Sequence, residues 1–322
     1  MTANPANSGF TLVVDPAHPP PQLRRAAYAI GNFDGVHLGH RAVIERTREF
    51  AREKGVAAAA LTFEPHPADY FAGRPVVFRL TPFAEKARAL QAAGLDGVVV
   101  LSFDATLASL SAEAFVEEVL IKRLNVGCAV IGADFHFGKG RSGSPAFLLA
   151  SGERHGFCVE SLTKIESTHS NQPEAISSSS VRRALERGDI EGATARLGRP
   201  YEVSGIVITG KKLGRELGVP TANVALPATN RLAYGVYAVR AIFDGRAHDG
   251  VASFGVLPTL NGVEPLLETF VFDFAGDLYD REISVQFVAR IRDEVKFASL
   301  DELKAAMASD MAQARVALSL SR

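Results

Sequence analysis

His37 and His40 stand three residues apart in "GNFDGVHLGHRAVI" (31–44), with Gly31, Gly35 and Gly39 around them and no cysteine nearby. Imidazoles beside free backbone N–H groups at a helix start can neutralise charge that builds on a phosphoryl group in transit. The helix dipole favours an anion at the same place. That chemistry needs no nucleophilic serine or cysteine. Two histidines at this spacing also suit a metal, but zinc takes a third protein ligand, and no His, Cys or Glu cluster with metal spacing follows. "ISSSSVRRAL" (176–185) spells a second anion cradle. Ser177, Ser178 and Ser179 offer hydroxyls at a helix start, with Arg182 one turn in. Alone, that stretch reads as an ordinary N-cap; beside the histidine loop it reads as a second clamp on one triphosphate.

Two further clusters carry charge and glycine. "GADFHFGKGRSG" (132–143) makes a glycine-rich loop expected to be mobile, in which Lys139 and Arg141 can approach phosphate. Asp134 opens it, and Phe135 and Phe137 serve either the core or a flat ring. "GKKLGRELGVPTANVALP" (210–227) has Gly210, Gly214 and Gly218 for close backbone approach, with Lys211, Lys212 and Arg215 for charge. Thr221 and Asn223 follow, two apart on an extended segment, so both face one side. A hydroxyl and an amide with phosphate oxygens and water suit magnesium. A basic turn beside an edge strand is the plainer reading, and it leaves the glycine spacing unexplained.

These residues need a scaffold, and the chain's periodicity supplies two. From residue 10 to about 197, short apolar runs ("FTLVV", "AAYAI", "VAAAALTF", "GVVVLSF", "CAVIGADF", "FCVESLT") alternate with helical patterns at 81–93, 111–123 and 144–155. A further helix starts at Leu38, with Val43, Ile44 and Phe50 on its apolar side. Such alternation predicts a parallel α/β sheet covered on both faces, with ligand sites at the strands' carboxyl ends. The Gly31–His40 stretch, Glu64-Pro65-His66-Pro67 and the Asp134–Gly143 loop all follow such ends. After Pro200 the runs are joined by Gly/Asp turns without helices, which predicts an antiparallel barrel or sandwich. A closing helix over about 299–317 follows, with Ser299 as N-cap and Glu302 completing a capping box. The boundary is expected near 187–200, giving domains 1–186 and 187–322.

Composition agrees with a globular chain large enough for two cores: 322 residues, 47% hydrophobic and 22% charged. A net charge of −1 supplies no field for nucleic acid or an anionic membrane. The first residues lack a basic-then-apolar pattern and no run approaches the length of a spanning helix, so a cytoplasmic protein is expected. Cys128 and Cys158 read as isolated buried thiols. Self-association is left open.

"GNFDGVHLGH", "TFEPHP", "GADFHFGKGRSG" and "ISSSSVR" resemble the nucleotidyltransferase half of bacterial bifunctional riboflavin kinase/FAD synthetases. "GVPTAN", "YGVYAV", "GVASFGVLPT", "ETFVFDFAGDLYD" and "IRDEVKF" resemble the kinase half, in the same domain order. The resemblance implies a Rossmann-like adenylyltransferase domain followed by a small antiparallel barrel. It implies attack of the FMN phosphate on the α-phosphorus of ATP, with His37 and His40 stabilising charge. Asn32 would hold nucleotide phosphates and the Ser177–Arg182 stretch the leaving phosphates. The loop with Asp134, Phe135, Phe137 and Arg141 would lie by flavin and nucleotide. In the barrel it implies ATP phosphates at Gly210, Lys211, Gly214 and Arg215, magnesium at Thr221 and Asn223, and Glu268 as base on the ribityl hydroxyl. Substrates and products are then riboflavin, FMN, FAD and ATP, with magnesium as cofactor.

The sequence departs from the family at four places. Ser179 stands where threonine is common, Leu257 where arginine is common, Phe270 where histidine is common, and Asp280 where glycine usually follows Tyr279. Two rivals stand beside the bifunctional reading. One is an FMN adenylyltransferase whose barrel only binds flavin; the other is a non-catalytic flavin or nucleotide sensor, which would have no use for His37, His40 and Glu268.

Overall fold

The computed structural model describes residues 9–167, 174–209, 220–259 and 262–321, and the side chains of 257–259 and 262–264 are not among those described. Its contacts divide the chain into two compact units, 1–178 and 179–322.

In the first unit six strands form one parallel sheet: β1 (Thr11–Val14), β2 (Ala27–Ile30), β3 (Ala58–Glu64), β4 (Gly97–Ser102), β5 (Cys128–Gly132) and β6 (Cys158–Leu162). Their order is β1-β4-β3-β2-β5-β6. Strands β2 to β5 are nearly continuous apolar runs because helices cover both faces, whereas β1 alternates half-buried with exposed residues and β6 carries Glu160 and Ser161. Tyr28, Ile30, Leu61 and Phe63 pack on one side with Phe115, Leu120 and Ile131. Ala27, Ala29, Val98 and Val130 pack on the other with Ile44 and Leu90. The chain leaves β2 toward β3 on one side and later returns to lay β5 on the other. A crevice therefore opens at the carboxyl ends of β2 and β5, where doubly wound sheets bind ligands.

The helices are α1 (Leu38–Lys54), α2 (Pro67–Ala72), α3 (Phe83–Ala92), α4 (Ala105–Ser109), α5 (Ala112–Ala114) and α6 (Pro145–His155). The expected helix over 111–123 is α only for α5 and continues as a π-helix, Phe115–Arg123. Buried Phe115, Leu120, Val119 and Leu124 include two pairs five apart, which suits the wider turn. Cys128 and Cys158 are free but not isolated, since the β5–β6 register sets them side by side. Their sulfurs and a Glu160 oxygen lie within 4.8 Å of one another. Arg46 already holds both Glu160 oxygens, at 2.5 and 2.8 Å. A short hairpin, β7 (Glu166–Ser167) with β8 (Glu174–Ala175), ends the unit.

The second unit begins in the first turn of α7 (Ser178–Glu186) and includes α8 (Ile190–Leu197). Helix α8 falls within the boundary expected at 187–200, yet Asp189 caps it by accepting from Gly192 N at 2.8 Å, and Ile190, Ala193 and Leu197 are buried. The barrel is closed in the order β10-β13-β12-β11-β14-β9. Its strands are β9 (Tyr201–Ile208), β10 (Thr221–Ala225), β11 (Gly235–Phe243), β12 (Arg246–Thr259), β13 (Gly262–Val271) and β14 (Glu282–Arg292). Closure leaves no edge to aggregate. Val224, Tyr237, Phe254, Leu267 and Phe287 are buried. The last helix, α9 (Leu300–Leu320), lays Ala314 and Leu318 against Val236, Val251 and Phe272. Asp310 of α9 clasps Arg292 of β14 with two bonds, at 2.8 and 2.7 Å. Ser299 caps α9, accepting from Glu302 N at 3.2 Å. The expected capping box closes one residue early, because Glu302 accepts from Ala298 N rather than from the cap residue.

Two family departures have local causes. Phe270 packs beside Phe272 in the apolar cluster that α9 covers, where an imidazole would lose its hydration. Asp280 adopts φ +58°, a left-handed conformation natural to glycine and tolerable for Asp. Asp280→Ala is therefore expected to lower stability by about 1 kcal/mol, while Asp280→Gly leaves it equal or higher. Urea midpoints of the two variants check this, and equal loss in both would mean the carboxylate, not the backbone, matters there.

Candidate active site

The turn from β2 into α1 is strained. Phe33 sits at φ +51° and Val36 at φ +40°, the second a rare conformation for a β-branched side chain. Such residues cost about 1–3 kcal/mol each and persist only where neighbours hold them. Here the holders are visible. Asp34, 1% exposed, accepts at Oδ1 from Leu80 N (3.0 Å) and Thr81 N (3.1 Å). Gly35 N donates to Thr81 Oγ1 at 2.8 Å, and Ser178 Oγ donates to the Asp34 carbonyl at 2.8 Å. Hydrogen bonds to a buried carboxylate contribute about 1.5–3 kcal/mol each, enough to offset the strain.

The strained turn delivers the histidines. His37 is the N-cap of α1, buried to 5%, and accepts at Nδ1 from His40 N at 3.3 Å. Their rings stack with centroids 3.6 Å apart and planes at 19°. Phe33 meets His40 edge-on at 5.1 Å. Gly39 permits the stack, since a Cβ there would lie 3.1 Å from His37 Nδ1 and 3.3 Å from the Ile176 carbonyl oxygen. Burial, and after it the neighbouring His37 ring and Lys86 ammonium, holds His40 well below the usual histidine range. His40 thus meets a ligand as a neutral imidazole, and its Nδ1 is buried without a hydrogen-bond partner.

Beneath the turn lies an ionic group that sequence reading missed. Lys86 of α3, 1% exposed, donates to Glu64 Oε1 (2.6 Å), Thr62 Oγ1 (3.1 Å) and the Asn32 carbonyl (3.2 Å). Arg79 grips Glu64 with two bonds, at 3.0 and 2.6 Å. Burial pushes the Glu64 carboxyl up, and these partners more than reverse it, so it is held below the ordinary range. A signal was present: Lys86 falls on the apolar stripe of α3, three after Phe83 and four before Leu90, where a solvated lysine has no place.

The other expected residues fall in three groups. Ser177 and Ser178 belong to the first unit, with Ser178 tied to Asp34, while Ser179 and Arg182 lie beyond the division on the same helix. In the loop after β5, Phe137 is core: 7% exposed and in contact with Phe115 and Phe147. Phe135 is half-buried and stacks on Phe137 at 5.5 Å. Phe137 and Gly143 exchange backbone bonds of 3.2 and 2.9 Å, closing the loop into a small hairpin. Asp134 and Arg141 are exposed, and Asp134 pairs with Lys164 at 3.3 Å. Gly210, Lys211, Gly214 and Arg215 lie outside the described residues, as does the side chain of Leu257.

In the second unit the barrel register joins residues forty-five positions apart. Asn223 of β10 stands directly opposite Glu268 of β13, and Thr221 is two residues along β10 on the same face. Thr221 Oγ1 donates to Asn223 Oδ1 at 3.4 Å. Asn223 is buried and Glu268 exposed. An open pocket lined by Thr221, Ala222, Thr269, Phe274 and Tyr279 lies beside Thr221.

His40 makes stability depend on pH. The unfolded chain binds a proton near pH 6.5, whereas folded His40 resists it, so stability is lost as pH falls below that value. His40→Asn is expected to flatten the loss between pH 7 and 5, measured as urea midpoints of the variant and parent. Parallel slopes would mean that folded His40 titrates normally.

Comparison with known proteins sets these sites in context. The FAD synthetase family pattern matches residues 20–180, and the riboflavin kinase pattern residues 197–318. A bifunctional riboflavin kinase/FMN adenylyltransferase of Pseudomonas fluorescens is 43% identical over 92% of this chain and 94% of its own. The proteins so named from Haemophilus influenzae and Bacillus subtilis are 40% and 38% identical, covering 91% and 90% of this chain and 94% and 92% of their own. The crystal structure of a macrolide-efflux protein from Streptococcus pneumoniae shares the fold, with TM-score 0.81 over 93% of this chain and 97% of that one, at 28% identity. Among the described residues of this chain, no helix is long and apolar enough to cross a membrane. With both family patterns in order and relatives matched nearly end to end, the chain belongs to the bifunctional riboflavin kinase/FMN adenylyltransferase family.

Proposed function

We propose that the family's two reactions are divided between the two units, each carried by the constellation described in it. The chain phosphorylates riboflavin to FMN and adenylylates FMN to FAD, both with ATP. The observation that carries the division is the stacked His37–His40 pair, held by a strained turn at the crevice of the parallel sheet.

In adenylyl transfer, an FMN phosphate oxygen attacks the α-phosphorus of ATP and pyrophosphate leaves. The reaction needs positioning and charge stabilisation rather than a protein nucleophile. The neutral His40 ring and the N–H groups at the start of α1 meet the developing charge, and Asn32 contacts the nucleotide phosphates. The hydroxyl of Ser177 takes part in binding the leaving group, while that of Ser178 is given to the Asp34 carbonyl and holds the turn. Phe135 offers a half-buried aromatic edge to the flavin; Phe137 serves by supporting it.

In phosphorylation, the ribityl hydroxyl attacks the γ-phosphorus and ADP leaves. Glu268, exposed and opposite Asn223, accepts the hydroxyl proton. Thr221 and Asn223 fit magnesium, as neutral oxygen donors on one face of one strand. Bound there, the ion would shield the charge of ATP phosphates. The barrel therefore supplies its own base and metal donors, which favours a kinase over a module that only binds flavin. Riboflavin, FMN and ATP are the partners, neither reaction calls for nucleic acid or membrane, and the cytoplasm supplies all three.

His40→Ala is expected to lower FAD formation from FMN by about a hundred- to thousandfold, with FMN formation spared. Glu268→Gln is expected to do the reverse, slowing FMN formation by about 10²–10⁴ and leaving FAD formation from supplied FMN intact. Steady-state assays with riboflavin or FMN check both, and near-parental rates would return either residue to a structural role. A fragment beginning at Ser179 is expected to fold and make FMN alone. One beginning at residue 187 lacks buried Val181 and Leu185, whose carbonyl accepts from Ala233 N at 3.0 Å, and is expected to melt lower. A folded Ser179 fragment that makes no FMN would contradict an independent kinase.

A further inference from the structure

Lys86 lies under the adenylyl-transfer site with its charge almost wholly removed from water. A buried ammonium persists only where fixed partners replace its hydration. An ammonium has three N–H donors, and the three short contacts to Glu64, Thr62 and Asn32 use them all. None remains for a substrate, so whatever Lys86 does for the reaction it does through its partners.

The partner that matters is the Asn32 carbonyl, which also accepts from Thr62 Oγ1 at 3.2 Å. Two donors on one carbonyl fix the peptide plane between Asn32 and Phe33. That plane sets the direction in which Phe33 enters its left-handed conformation. The Phe33 ring then abuts His40 at 5.1 Å, and His40 stacks on His37 at 3.6 Å. A continuous path of contacts thus runs from the ammonium to both imidazoles.

We propose that Lys86 is a positioning residue for adenylyl transfer, which sets the His37–His40 stack by pinning the Asn32 carbonyl and, through it, the Phe33 ring. The proposal rests on His37 and His40 being the adenylyl-transfer site. The ammonium also acts on His40 through space. The groups facing His40 are the His37 ring from the cap of α1 and the Lys86 ammonium from α3, with Glu64 of β3 and Arg79 lying beyond Lys86. Both neighbours disfavour a proton on His40, so removing Lys86 lets that imidazole titrate at higher pH.

The test uses the full chain with Lys86→Met, Lys86→Arg and Thr62→Val, and His40→Ala beside them. Adenylyl-transfer kcat and KM, riboflavin phosphorylation, and the NMR titration of His40 are measured on each. Lys86→Met is expected to lower adenylyl-transfer kcat by about ten- to hundredfold through misplacement. KM values and the kinase rate should stay near the parent, and the His40 titration should move up. Lys86→Arg keeps the charge but not the three-donor geometry, so it should hold the His40 titration low while restoring kcat only in part. Thr62→Val should lower kcat without moving the titration, since it loosens the carbonyl and leaves the charge. If Lys86→Met does not fold, Thr62→Val and Lys86→Arg decide, and parental kcat in both overturns the proposal. A folded Lys86→Met with parental kcat and an unmoved His40 titration also overturns it. If His40→Ala keeps adenylyl transfer, the site assignment falls and the proposal with it. If His40→Ala loses transfer while the Lys86 and Thr62 variants keep it, the proposal alone falls.

Discussion

The carboxylate of Asp34 binds the backbone of Leu80 and Thr81 across a gap of forty-six residues in sequence, and through it the turn from β2 into α1 is held in a shape the chain would not otherwise take. A carboxylate buried to 1% has to be satisfied, and the two N–H groups, with Arg79 Nε 3.7 Å away, satisfy it. Its neighbours then bind in turn: Gly35 to Thr81, Ser178 to the Asp34 carbonyl, Lys86 and Thr62 to the Asn32 carbonyl. The outcome is a rigid entrance to α1, with two imidazoles stacked where the helix dipole and free N–H groups already favour phosphate. Preorganisation of this kind is what phosphoryl chemistry asks of a protein, since the substrates supply both nucleophile and leaving group.

The barrel solves a different problem by different means. Its site owes little to strain and much to register. Pairing β10 with β13 sets Asn223 against Glu268, and a slip of one residue would send the whole set to the opposite face. Closure of the six strands, with the Arg292–Asp310 clasp to α9, makes such a slip costly. Each unit is therefore organised by its own constraint, a buried carboxylate in one and a closed hydrogen-bond ladder in the other.

Much of this was legible in the sequence. Strands β1 to β6 are visible as short apolar runs, most plainly in β2 to β5, where the sheet is covered on both faces. The barrel was visible because its runs are separated by turns and not by helices. His37, His40, Thr221 and Asn223 stand out by residue type and spacing, and the fold brings each pair together. What escaped depends on contacts distant in sequence. The role of Asp34 goes unremarked in the sequence because nothing local says that its partners are Leu80 and Thr81. Cys128 and Cys158 read as isolated because thirty residues separate them, while the sheet sets them in register. Helix α8 was lost between a glycine and a Gly-Arg-Pro run that look like a linker. Residue type alone leaves Phe135 and Phe137 between core and ligand, and packing against Phe115 places Phe137 in the core. Lys86 was missed although its place on an apolar helix face was written plainly.

One chain thus performs two chemically distinct phosphate transfers, which we assign one to each unit. Incubation with riboflavin, magnesium and ATP labelled at either the α- or the γ-phosphorus follows the two transfers separately. γ-Label is expected in both FMN and FAD, and α-label in FAD alone, because the first transfer moves the terminal phosphoryl group and the second the adenylyl group. Absence of γ-label from FMN, or of α-label from FAD, would contradict it.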